Sequence, residues 1–202
     1  KLNPGKYTGS VEFQLGEFSQ EKQFEFFLTE PKQEQFCVFT DPEDDFRLIK
    51  YFTGATSTSD WKTYDLDTKR RYLSQKWKAL AGAGNMNTQT MLDQISERVD
   101  YANYYYSHFE RGWTSDMGRI HIRRGKPDDI EVGTSSDEAR FVRKDYQIWK
   151  YQGRQKAVYL FLDIQMNGNY RLIYVEGDQR ESSNPDYLYY LGDDFDTRKL
   201  YN

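Results

Sequence analysis

Residues 88–125 read TQTMLDQISERVDYANYYYSHFERGWTSDMGRIHIRRG, and how this stretch is read decides the fold. Met91, Ile95, Val99, Ala102, Tyr106 and Phe109 follow one another at steps of three or four, which draws a single apolar stripe along an α-helix. Thr88 is placed to cap its start and Gly112 to stop it, while Asp93, Glu97, Arg98 and Asp100 form the solvated face. A corner is expected next. Gly112 ends the helix, Trp113 plugs the core, and Ser115 or Asp116 accepts from the backbone amides of the turn. Beyond it, Ile120 and Ile122 alternate with Arg119, His121 and Arg123, which predicts a strand over 118–124 leading a sheet.

Upstream, the first 40 residues alternate. Tyr7, Val11, Phe13 and Leu15 give one expected strand, Phe24, Phe26 and Leu28 a second, and residues 35–40 a third. Three such strands cannot cover their own apolar face, so they read as part of a β-sandwich completed elsewhere. Asp41-Pro42-Glu43-Asp44 is a helix start, with a cap, a proline at the first turn and acids at the positive end of the dipole. Phe46, Ile49 and Phe52 face inward on that helix, and Gly54 ends it. A polar connector over 55–60 leads to a second helix over 66–81, whose basic run Lys69, Arg70, Arg71 and Lys78 reads as a solvated face.

Downstream, Gly125, Pro127 and Asp128 mark a turn, 130–132 a short strand, and 133–140 a polar loop. Strands over 146–151, 157–165 and 170–175 then make a meander, with Asn167-Gly168 as a hairpin signal between the last two. From Gly177 the chain turns polar. Its aromatic segment, with Tyr187, Tyr189 and Tyr190, is a candidate interaction patch. The resulting expectation is an α+β protein. Its parts are N-terminal β-sandwich-like strands over 1–40, a domain over 41–176 with three helices packed on an antiparallel sheet, and a polar, aromatic tail over 177–202.

The same stretch carries a resemblance. Gly112-Trp113-Thr114-Ser115-Asp116 is similar to the pentapeptide that names the bacterial GWxTD domain family, with Ser115 standing where that family has threonine. Arg98-Val99-Asp100-Tyr101-Ala102-Asn103 resembles its helix motif. Gly118-Arg119-Ile120, Gly125-x-Pro127-Asp128 and Tyr146-x-Ile148-Trp149-x-Tyr151 resemble its later motifs, and Lys76-Trp77 falls on an aromatic-Trp pair with lysine in the first place. The resemblance spans roughly residues 41–175. It implies an architecture and an address in the cell envelope or outside the cell, and little chemistry. Gly112, Trp113, Ser115, Asp116, Arg119, Gly125, Pro127, Asp128 and Trp149 are therefore expected to build the fold rather than to catalyse.

Composition narrows the function classes. A net charge of −4 and a pI near 5.3 argue against binding nucleic acid by phosphate neutralisation. No apolar run is long enough to span a bilayer, which leaves peripheral or lipid-anchored membrane association open. The chain opens at Lys1 without methionine, so a processed or trimmed N-terminus is expected. His108 and His121 are the only histidines and have no partner at metal spacing, and Asp193, Asp194 and Asp196 lack the spacing of a calcium loop. No metal site, cofactor or catalytic residue is expected. Cys37, inside Phe36-Cys37-Val38-Phe39, reads as a buried, inert thiol. The 17 tyrosines suit a surface that meets other molecules. The expected function is that of a non-enzymatic exported protein acting by protein–protein interaction, with self-association included, in the periplasm, at the outer membrane or outside the cell. The alternative is a carbohydrate-binding module or hydrolase using exposed aromatics and carboxylates.

Overall fold

The computed structural model describes residues 5–28, 35–54, 60–135 and 143–201. The chain divides into two compact units, Lys1–Gln35 and Phe36–Asn202.

The first unit is an antiparallel hairpin of β1 (Gly5–Leu15) and β2 (Phe18–Leu28). Its two-residue loop starts with Gly16 at φ +63°, a conformation open to glycine and the usual first position of a type II′ turn. Register sorts the side chains sharply. Tyr7 faces Phe26 and Leu15 faces Phe18 across the pair, so these, with Val11, Phe13 and Phe24, share one apolar face. Gln20 and Lys22 interrupt that face, and the opposite one is mostly polar apart from Phe27, with a Lys6–Glu25 ion pair at 2.8 Å and Ser19 Oγ donating to Glu12 at 2.6 Å. The apolar face is exposed within the unit, with Leu15 at 83% and Phe18 at 84%.

The strand expected over 35–40 does not form. The backbone N–H groups that a strand would use are taken by side chains of the helices: Phe36 N donates to Ser74 Oγ, and Val38 and Phe39 N donate to Asp45 Oδ1 at 2.8 and 3.0 Å. Phe36, Val38 and Phe39 pack against the helical core, and Cys37 between them is exposed rather than buried.

Three helices follow as expected: α1 (Pro42–Thr53), α2 (Leu66–Ala83) and α3 (Thr88–Tyr106). Each is capped by an Asx residue. Asp41 accepts from Glu43 N, Asp65 from Thr68 N, and Asn87 from Gln89 and Thr90 N, so Asn87 rather than Thr88 caps α3. The α3 stripe buries Leu92, Ile95, Val99 and Ala102, but the helix stops at Ser107, five residues early, and Phe109 is exposed. These helices enclose a core around Leu48, Ile49, Leu73, Trp77 and Trp113.

The main correction concerns residues 118–124, expected as the leading strand. They lie instead in a fourth helix, α4 (Asp116–Arg124). On a helix, Ile120 and Ile122 are about 200° apart, so they point to opposite sides. Both are fully buried because α4 lies between two layers: Ile122 joins the helical core, while Ile120 and Met117 join a cluster on the sheet. An isoleucine at every second position satisfies a helix buried on two sides as well as a strand buried on one. The ends are those of a helix, with Asp116 in the first turn, His121, Arg123 and Arg124 in the last, and Gly125 at φ +82° closing it.

The sheet is a meander of β3 (Asp129–Thr134), β4 (Asp145–Tyr151), β5 (Ala157–Leu162) and β6 (Arg171–Glu176), in that spatial order. Of the loop expected over 133–140, Gly133 and Thr134 belong to β3, and 136–140 lie outside the described residues. The polar connector is outside them at 55–59. The strand β5 is buried along its whole length, as a strand covered on both faces must be. Tyr159 and Phe161 face α4, and Val158, Leu160 and Leu162 face the C-terminal segment. That segment is no loose tail. A short helix, α5 (Tyr187–Leu191), and a 3₁₀ turn (Thr197–Leu200) place Leu191 and Leu200 in the sheet's second core.

Candidate functional site

The GWxTD pentapeptide forms the junction between α3 and α4, and its residues are occupied with holding that junction. A Cβ on Gly112 would sit 1.9 Å from Ala102 O, and one on Gly118 would sit 1.9 Å from Gly112 O, so the backbones touch where only glycine fits. Gly112 N donates to Ser107 Oγ at 2.7 Å and Trp113 N to Asn103 Oδ1 at 3.1 Å, which folds the segment after α3 back onto that helix. Ser115 is buried and works in both directions: its Oγ donates to Gly112 O at 2.7 Å and accepts from Gly118 N at 3.0 Å, capping α4. The Trp113 ring is buried against Phe39 and Tyr51, with the Arg47 and Arg111 guanidinium groups over its faces.

Asp116 links the corner to the sheet. Its Oδ2 accepts from Leu172 N at 3.0 Å, and its Oδ1 from Arg119 at 2.7 Å. From Arg119 an ionic network runs through the protein. Arg119 also pairs with Glu181, Arg123 with Glu181 and Asp178, and Arg124 with Asp178. The Arg123, Asp178 and Glu181 side chains are nearly inaccessible. Burial works against the Asp178 carboxylate, but the Tyr159 hydroxyl, the Arg180 N–H and the arginines hold it below the usual carboxylate range. Asp116 lies on the same helix as Arg119, but the acids that Arg123 meets are distant in the sequence. They lie 55 and 58 residues away, after β6.

The remaining motif residues lie elsewhere on the same body. Gly125 O accepts from the buried Tyr151 hydroxyl at 2.9 Å, Pro127 is buried, and Asp128 Oδ2 accepts from Gln152 N at 2.7 Å, clamping β3 to β4. Trp149 is buried on β4, with its Nε1 donating to Gln147. Trp61 is buried as well, stacked on Phe46 with ring centroids 4.0 Å apart. The candidate interaction tyrosines sit on the far side of the sheet. Tyr187 packs on Tyr174, Tyr190 is half-buried and Tyr189 exposed.

Two buried polar groups had no readable signal. Asp45, fully buried, accepts from Trp77 Nε1 at 2.7 Å besides the Val38 and Phe39 amides, and burial raises its carboxyl despite those three bonds. His121 is stacked on Tyr101, and burial, with Arg98 nearby, pushes its imidazole from 6.5 down to about 4. Its Nδ1 has no hydrogen-bond partner among the described residues. Arg98, expected in solvent, is half-buried and donates to Ile122 O at 3.0 Å.

Beside the corner, α3 and the sheet enclose a cavity of about 290 Å³. Tyr101, Tyr105 and Tyr106 line it from α3, Gln147 and Trp149 from β4, and Gly168, Asn169 and Tyr170 from the loop before β6. Among the described residues, no group of three or more His, Cys, Asp or Glu is placed to hold a metal ion, and no helix is long and apolar enough to cross a membrane.

No curated protein and no solved structure matches the chain significantly. The GWxTD domain family matches residues 17–180, which include the hairpin's second strand, the corner, the sheet and most of the ionic network. The chain belongs to the GWxTD domain family.

Proposed function

We propose that this protein acts by binding other proteins, as a non-enzymatic component of an assembly at the cell envelope or outside the cell. The observation that carries the reading is the hairpin. Eleven-residue strands place Tyr7, Val11, Phe13, Leu15, Phe18, Phe24 and Phe26 on one face, and among the described residues the unit has nothing of its own to cover them. A two-stranded ribbon is marginal in water, and covering each large apolar side chain is worth roughly 1.5–3 kcal/mol. An exposed face with this many large apolar side chains is the signature of an interaction surface. The GWxTD corner supports the same reading from the other side, since its serine, tryptophan and aspartate are engaged in structural bonds. The envelope address rests on the family resemblance, and cell fractionation tests it.

The interaction is tested by purifying the untagged protein from its own cells and identifying whatever co-migrates by mass spectrometry, for the wild type and for Phe13→Glu/Phe24→Glu. A defined companion, or a second copy of the chain, is expected with the wild type and not with the variant. A wild type that runs alone as a 24.1 kDa monomer overturns the proposal.

A further inference from the structure

The cavity beside the corner is independent of the hairpin, and its lining specifies a ligand. We infer that it binds one neutral sugar ring. At about 290 Å³ it lies at the small end of ligand pockets, which suits a single six-membered ring with its substituents. Among the described residues no carboxylate, ammonium or guanidinium group lines it, so a charged ligand would find no permanent opposite charge there. A wholly apolar ligand would make no use of the Asn169 amide and the tyrosine hydroxyls that line it. A pyranose fits both halves of the lining. Its C–H faces meet the electron-rich faces of tyrosine rings, and its hydroxyl edges meet amide and phenol groups.

The site is also built in advance. Tyr101 is held between Tyr105 and His121, with ring centroids at 4.3 and 4.4 Å. Tyr106 lies against the Trp149 and His121 rings, at 5.8 and 6.0 Å between centroids, and Gln147 accepts from Trp149 Nε1 at 3.1 Å. The far wall is fixed by Asp163, whose carboxylate accepts from Asn167 N at 3.1 Å and Gly168 N at 2.8 Å, setting the loop that presents Asn169 and Tyr170. His108 closes against Gly168, where a Cβ would meet its ring at 2.8 Å and where φ is +82°. Rings held in place lose little entropy when a ligand arrives.

The test is saturation-transfer NMR on the full chain with the methyl glycosides of glucose, galactose and N-acetylglucosamine, and with tetramethylammonium as the cationic probe. At least one glycoside is expected to receive saturation on its ring protons, with millimolar affinity. Tyr105→Ala and Asn169→Ala, both at the cavity rim, are each expected to weaken that binding roughly fivefold, the loss of one stacking or hydrogen-bond contact, without lowering the melting temperature. Saturation of tetramethylammonium alone, of no probe, or of a glycoside whose affinity is the same in both variants overturns the inference.

Discussion

Replacing Trp113 by alanine tests whether the pentapeptide is architecture. The indole is 1% exposed, in contact with Phe39 at 4.9 Å between ring centroids, and it fills the space between the end of α3 and the helical core. A tryptophan of this kind buries about 150–250 Å², which at about 25 cal/mol per Å² corresponds to roughly 4–6 kcal/mol. Measured Trp→Ala changes in cores, about 3–5 kcal/mol, agree with that range. Domains of this kind are stable by about 5–15 kcal/mol, so the substitution removes at least about a fifth of the total. With a urea dependence of about 2 kcal/mol per M, the midpoint followed by far-UV circular dichroism should fall by roughly 2 M. Trp113→Phe keeps most of the ring and should lose about half as much. A Trp113→Ala protein with its midpoint unchanged, having lost only some activity, would refute the structural reading of the corner.

Three further outcomes are expected. Arg123→Met leaves the Asp178 and Glu181 carboxylates short of a partner, at a cost near 3 kcal/mol and a melting temperature lower by roughly 9 °C; because the network is buried, added salt should not erase the difference. For His121, the unfolded imidazole takes a proton near 6.5 and the folded one only near 4. Stability is therefore held above pH 6.5 and lost as pH falls to about 4, by about 3 kcal/mol in all, and His121→Phe should flatten that part of a stability–pH profile. Asp45→Ala strands the Val38 and Phe39 amides and the Trp77 indole N–H, costing at least roughly 3 kcal/mol. In that variant the two amides should exchange with deuterium much faster than in the wild type.

What was legible in the sequence was local. Asp41-Pro42 opening α1 and the alternation of β4 are decided by a residue and its near neighbours. The first hairpin was legible for the same reason, since one glycine turn joins two alternating runs. The α4 segment defeated the periodicity because a helix packed on two sides buries isoleucines at every second position. Its serine cap and glycine stop carried the correct answer, and the alternation outweighed them. The hairpin signal at Asn167-Gly168 proved part of a longer loop, because β5 ends at Leu162 and Asp163 turns its carboxylate onto the loop's own amides. Asp45 and the Arg123 network depend on partners tens of residues away, which no local pattern announces. The cavity gave no signal for the same reason. Tyr101, Tyr105 and Tyr106 lie at one end of α3, and only the loop before β6 makes them the wall of a cavity.

The central claim is that a partner protein covers the apolar face of the hairpin. Hydrogen–deuterium exchange of Gly5–Leu15 and Phe18–Leu28, measured on the purified chain and on the assembly isolated from cells, addresses it most directly. Cross-strand amides should exchange quickly in the isolated chain and be protected at least tenfold in the assembly, where burial stops the ribbon from opening. Equal exchange in the two samples, with the rest of the protein unchanged, would contradict the account.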